Sequence, residues 1–403
     1  MNRDTVLHKA WPILVTIPVL AYLWGLYAYS NPLPYCDDID AILGFLNQYT
    51  ETTGFGNRLE LIFSQHNEHR LAYNRSITAL YYSLFGQVDL RVLTFIGNLP
   101  WFALIGLLWV AARRRGVSAA EFSVVPLLLL SLTHHELITW AMASMQQYAQ
   151  LFFAILALYL FVREAHGLAL LCLAVASFSG GGGLLVAPLL VLHACLERRF
   201  RLAAVVVAFA GTLAFAYFVY FPYAKPVHHP SIVTAMLSPH ILAGYIPAFL
   251  GSVSRNIRIA IPLGLILLAL SVHFIRRHDK ADRFLILVVL FVLETAFVTA
   301  LTRSGFGIQQ ALSSRYSEYS LILMSLLYLL GLSHAGSDTV RTRRMQAGVA
   351  VAVLTFAFSF APAQRDMRKR SDDLTKGVIT HPDQAAARAI IERAQQKGIF
   401  VPR

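Results

Sequence analysis

Apolar runs of about twenty residues recur along this chain, and they decide what it can fold into. A helix that crosses the hydrocarbon core of a bilayer needs about 20 mainly apolar residues. Eleven segments read as such spans: 11–30, 92–112, 118–134, 147–163, 165–179, 182–197, 202–221, 259–275, 284–302, 317–333 and 346–361. The 403 residues are 57% hydrophobic and only 14% charged, against roughly 25% charged in a soluble domain. This excludes a soluble enzyme, a disordered chain and a fibrous repeat. The expected fold is an all-α polytopic membrane protein with about 11 transmembrane helices.

The basic residues set the orientation. A net charge of +12 would raise the question of nucleic acid in a soluble protein. Here Lys and Arg gather in short runs between apolar segments: Arg113-Arg114-Arg115; Arg198, Arg199 and Arg201; Arg276, Arg277, Lys280 and Arg283; Arg341, Arg343 and Arg344. With a cytoplasmic N-terminus every run falls inside, as the positive-inside rule requires, and no nucleic-acid partner is expected. Residues 31–91, 135–146, 222–258 and 303–316 then lie outside. The domain reading is a transmembrane domain over 1–361 and a short extracytoplasmic tail over 362–403. The first apolar run lacks a small-residue cleavage site and reads as a retained span. The pair 165–179 and 182–197 is short for two crossings; a re-entrant pair would leave the later parity unchanged. Cys36, Cys172 and Cys195 form no zinc or redox motif, and no disulfide framework is expected.

Function must then lie in the minority of polar residues. The first outer loop opens Asn31-Pro32-Leu33-Pro34-Tyr35-Cys36-Asp37-Asp38-Ile39-Asp40. Its prolines end the first helix and hold the chain extended. Three carboxylates follow at the expected membrane surface; one would suffice as a helix N-cap, and three point to chemistry. Ile39–Gln48 and Leu59–Phe85 have helical apolar spacing, are too polar to span, and suit helices lying in the interface. Between them, His66-Asn67-Glu68-His69-Arg70 is followed by Asn74 and Arg75. On a helix, His66, His69, Arg70 and Tyr73 would share one face. This is either a solvated helix with local ion pairs or a ligand-binding cluster.

Three further segments each carry two readings. His134-His135-Glu136, with Gln146-Gln147 beyond it, is either a metal ligand set or the polar end of a helix. Gly180–Gly183 is either an anion cradle of bare N–H groups or a tight turn between packed helices; no Walker motif follows it. Arg315, beside Tyr316, either anchors in lipid headgroups or grips a phosphate with its planar fork of donors.

One span leading to an aspartate-bearing outer loop with interface helices, then many spans and a late outer-loop arginine, resembles the GT-C superfamily of integral-membrane glycosyltransferases. Asp37-Asp38, Asp38-Ile39-Asp40, the His66–Arg70 cluster and Ser314-Arg315-Tyr316 carry the resemblance, over residues 1–361. It implies transfer of a sugar from a polyprenyl-phosphate carrier, at the outer face of a bacterial inner membrane, to a lipid-linked or polysaccharide acceptor. Asp37 or Asp38 would be the catalytic base. Asp40, His66, Glu68, His69, Arg70, Arg75, Arg315 and Tyr316 would bind substrate. A divalent cation (Mn, Mg or Zn) could sit on Asp38, His66 and His69, although an arginine can replace its charge. The short tail departs from relatives with a large C-terminal domain and disfavours a protein acceptor. The implied partners are the polyprenyl-linked donor, a glycolipid or polysaccharide acceptor and membrane lipids. A polysaccharide polymerase or ligase, and a glycolipid transporter or flippase, are the rival readings.

Overall fold

The computed structural model describes residues 3–225, 230–277 and 279–402. The chain is helical throughout, and the only strands among the described residues are Gln65–His66 and His69–Arg70. Among the described residues, eight helices are long and apolar enough to cross a membrane: Trp11–Tyr29, Leu90–Arg113, Ala141–Val162, Phe200–Tyr220, Ile257–Arg277, Lys280–Phe306, Ser314–Ser333 and Asp338–Thr375. Each coincides with an expected span. The other three expected spans do not form single span-length helices, so eight of the eleven expected spans are matched by length and composition.

The physical reasons differ. His166–Ser179 has 14 residues, which at 1.5 Å each is about 21 Å, short of a hydrocarbon core of about 30 Å. Its successor Val186–Leu196 is shorter still, with 11 residues. Residues 119–138 are broken into Ala119–Phe122, Val124–Leu129, Leu132–His134 and His135–Ile138. Pro126 lacks an N–H, and the Ser131 and Thr133 hydroxyls bond each other at 2.8 Å in place of a helical pattern. Nearly every residue of this stretch is buried, and broken backbone at membrane depth is tolerated only when protein covers it. A short apolar helix that the sequence reading passed over, Pro239–Leu250, lies in the loop 222–258.

The chain divides into two compact units, each taken by itself below. One comprises Met1–Gly25, Ile105–His135 and His228–Asp366; the other comprises Leu26–Leu104, Glu136–Val227 and Met367–Arg403. The second holds the whole loop 31–91 and the tail beyond Asp366. There the last long helix runs on to Thr375, past the expected end of its span, and a further helix, Gln384–Gln396, follows. The tail packs on the first loop: Ile390 O accepts from Asn47 Nδ2 at 2.9 Å, and Ile399 O accepts from the Val88 N–H at 2.8 Å. Glu51 takes Arg393 and Lys397, both at 2.6 Å.

Candidate functional site

The exit from the first span builds the site. Asn31 Oδ1 accepts from the Leu33 N–H at 2.9 Å, a local turn that the two prolines stiffen. The chain then reaches Asp37 and Asp38, whose environments differ. Asp38 is 2% exposed. Its Oδ1 accepts from the Met142 N–H at 2.8 Å and its Oδ2 from the Tyr35 N–H at 3.1 Å. It thus caps the helix Ala141–Val162 from a distant part of the chain. Burial pushes its pKa up to about 7, against the pull of those two N–H groups. Asp37 is half-buried, and its carboxylate accepts only the Cys36 thiol, at 3.8 Å. That thiol is pushed up to about 12, first by burial and then by the Asp37 charge.

The expected helix around His66 is corrected. Gln65–His66 and His69–Arg70 form a two-stranded antiparallel pair, with Gln65 opposite Arg70 and His66 opposite His69. Asn67 makes the turn at φ +49°, a conformation that Asn tolerates better than most residues. The reversal abolishes the shared helical face. The expected interface helices are corrected in part as well. Ile39–Gly44 and Phe45–Tyr49 are mostly buried, whereas Phe55–Phe63 buries no residue and leaves Phe55 82% exposed.

The basic residues divide between fastening and the site. Arg70 is fully buried. It donates to Tyr217 O at 2.8 and 2.6 Å, Phe63 O at 2.8 Å and Phe221 O at 2.6 Å, between the rings of Tyr217 and Phe221. It fastens the hairpin to the helix Phe200–Phe215 and its continuation, with these donors given to backbone carbonyls. His69 lies 3.4 Å from Glu68 through Nε2, and its Nδ1 accepts from the Gly181 N–H at 3.4 Å. Arg75 instead lines a cavity of about 420 Å³, together with Asp40, Phe45, Asn47, Gln65 and His66 from the loop and Ile390 and Arg393 from the tail. Burial lowers the pKa of His66; the charges of Asp37 and Asp40 act on it in the opposite sense, and that of Arg75 in the same.

The tail supplies groups that sequence reasoning missed. His381 Nε2 meets Asp40 Oδ2 at 2.7 Å. Burial pulls its pKa down, but bonds to Asp383 O and Asp40 outweigh this and raise it. Arg370 stacks on Tyr35 at 4.7 Å and donates to Thr139. The only sequence signal was the density of polar residues in a segment of 42 residues, 362–403, after the last expected span.

Two expected ligand sets do not assemble. Among the described residues no three His, Cys, Asp or Glu side chains are grouped to hold a metal. Asp38 is held by backbone N–H groups and His69 by Gly181 and Glu68, so Asp38, His66 and His69 do not converge. His134 is buried with Nε2 3.1 Å from Leu129 O, and His135 faces Asp366 at 3.5 Å. The glycine run is a packing device. A Cβ on Gly183 would sit 2.2 Å from the Ala176 backbone, and one on Gly180 would sit 2.1 Å from Gln150 Oε1.

Arg315 and Tyr316 belong to the other unit. The Arg315 guanidinium stands 5.7 Å from the Tyr316 ring centre. Gln310 Nε2 donates to Tyr316 Oη at 3.2 Å, and Tyr245 Oη donates to Gln310 Oε1 at 2.5 Å. Glu318, one turn on, is fully buried, and the charge of Arg315 bears on it. No protein-family model matches this sequence, and no curated protein matches it significantly.

Proposed function

We propose that this chain is a GT-C-type glycosyltransferase that moves a sugar from a polyprenyl-phosphate carrier to a lipid-linked or polysaccharide acceptor. Its reaction side is the outer face of a bacterial inner membrane. The observation that supports this best is the division of labour between Asp37 and Asp38. A buried carboxylate fixes the loop by two backbone bonds, and its neighbour is left without a backbone partner, a few residues beyond the first span. Forming the new glycosidic bond requires a base to take the acceptor hydroxyl's proton, and Asp37 is the group free to do it. His66 and Asp40 line the adjoining cavity, where they can hold the acceptor's hydroxyls. The departing carrier phosphate needs its charge stabilised, the role expected of Arg315, which belongs to the other unit and is tested on its own.

The topology supports an outer-face site in one further respect. Seven of the eight span-length helices lie between the first loop and the tail. Seven crossings alone would put loop and tail on opposite faces, yet they pack together. An odd number of the shorter apolar segments must therefore also cross, and the buried broken stretch 119–138 is the segment we assign. Loop and tail then share the face opposite the arginine runs.

The test is turnover by the purified protein in lipid nanodiscs, supplied with polyprenyl-phosphate hexose or pentose donors. Acceptor-dependent release of the carrier phosphate is expected. Movement of the donor between leaflets of proteoliposomes with no transfer would establish the flippase reading instead.

A further inference from the structure

We propose that the cavity between the first loop and the tail helix receives a sugar bearing an anionic group, a carboxylate or a phosphate, with Arg75 as the anion's partner. The inference rests on reading this cavity as the acceptor side of the transfer site. Its volume of about 420 Å³ falls at the small end of the roughly 300–1,000 Å³ typical of small-molecule sites.

Two buried side chains lining it are incompletely satisfied. Arg75 is 5% exposed, and its Nη1 donates to Leu61 O at 2.9 Å and to Ser64 O and Oγ at 2.6 Å. Its Nε has no partner, and among the described residues no carboxylate pairs with it. Arg115 pairs with Asp282 and Arg341 with Glu121, and the fully buried Arg70 gives its donors to backbone carbonyls; at Arg75 the Nε is left over. Removing a guanidinium from water without a counter-charge is costly, and an anionic ligand would supply that charge. Asn47 is 3% exposed; Ile390 O fixes its Nδ2, while its Oδ1 has no donor.

An unpaired acceptor beside an unpaired cationic donor fits a molecule carrying both hydroxyls and an oxyanion. Asp40 and Gln48 offer further hydroxyl partners, and Phe45 gives an apolar wall. Arg393 stands at the cavity as well but is shared with Glu51, through bonds of 2.6 and 2.7 Å. Arg75 is therefore the group that selects charge.

The experiment is equilibrium binding to the full chain in detergent, without any donor, using methyl glucuronide, glucose 1-phosphate and methyl glucoside. At least one anionic probe should bind at least about tenfold more tightly than the neutral glycoside. Preference for the glucuronide names the carboxylate as the source, and preference for the phosphate names the phosphoryl group. Arg75→Gln should erase the preference. Because Arg75 also fastens Leu61 and Ser64, a second variant is needed: Ala389→Trp fills the cavity from the exposed tail helix and should abolish binding without lowering the melting temperature. Equal binding of charged and neutral probes, or unchanged binding by Ala389→Trp, overturns the proposal. With no donor present, these results stand apart from transfer. Asp37→Asn should bind the anionic sugar normally even if it transfers nothing.

Discussion

The loop after the first span and the late segment 303–318 carry similar equipment: acidic groups, arginines and tyrosines at the mouth of a span. They use it differently. In the late segment Tyr245, Gln310 and Tyr316 form a chain of hydrogen bonds, with the Arg315 guanidinium against the Tyr316 ring and its charge bearing on the buried Glu318. In the first loop some groups are spent entirely on backbone, as Asp38 and Arg70 are, and others are left with unused capacity, as Asp37 and Arg75 are. A polar cluster at a membrane surface is therefore informative only when its internal bonds are counted. Closed clusters hold the chain, and open ones are where a ligand can be accommodated.

The comparison is broken most sharply at Asp37. Asp37→Asn keeps the shape and removes the base, so sugar transfer should fall by about 10²–10⁴, with protein abundance and melting temperature unchanged. Full activity in this variant would place the base elsewhere. At Arg315 the closed-cluster reading and the phosphate reading diverge. If it grips phosphate by a planar fork, Arg315→Lys and Arg315→Ala should both weaken donor binding by about tenfold or more, because lysine keeps charge but loses the fork. If it only balances Glu318, Arg315→Lys stays near wild type, and Arg315→Ala is rescued by Glu318→Gln.

Asp38 sharpens the contrast from the structural side. Asparagine caps many helices as well as aspartate does, but here both oxygens accept backbone N–H groups. Asp38→Asn would set an amide NH₂ against one of them, leaving a buried donor unmatched at a cost of about 1–3 kcal/mol. Chemical denaturation in detergent should show this loss, and Asp37→Asn should not share it. The pH dependence has a definite sign. A carboxyl whose pKa rises from 3.8 to about 7 on folding holds its proton more tightly when folded. The stability it contributes is present below about pH 4 and is lost as pH rises through about 7. Asp38→Asn removes that slope.

Most of the helical frame was legible in the sequence, since eight apolar runs of sufficient length became span-length helices. The stretch 118–134 was not, because hydropathy averages over Ser123 and Ser131, where the helix is interrupted. The site was half legible. The density of acids after Pro34 marked the loop that carries the candidate site. It did not separate Asp37 from Asp38, because the bond that buries Asp38 comes from Met142, 104 positions away. The helical reading of His66–Arg70 failed because a turn at Asn67 reverses the chain within two residues. His381 and Arg370 were missed because their partners, Asp40 and Tyr35, are more than 300 positions distant in the chain. Cys36 is a poor probe of topology, because a thiol pushed up to about 12 reacts slowly at neutral pH. A cysteine placed at the exposed Phe55 is the better probe.

The smallest expected effect concerns the tail's attachment. His381 bonds Asp40 and Asp383 O, and the charge of Asp37 adds to the pull on its proton. Its pKa is raised by folding, so the stabilisation from this contact is fully present below the unfolded value of about 6.5. It is lost as pH rises through the folded value. The side chains are partly exposed, which screens the interaction, and Arg393 and Lys397 on Glu51 continue to hold the tail at higher pH. The expectation is a modest loosening and not release. Cleavage after the exposed Lys376 by a lysine-specific protease should quicken between pH 6 and pH 8 in the wild type, after correction for the protease's own pH profile. His381→Ala should be cut at the faster rate across the whole range. A wild-type rate that stays flat with pH, or a variant that keeps the wild-type slope, would show that the tail is held by Glu51 and the Val88 contact alone. The first loop would then be clamped from the tail side without a titrating group.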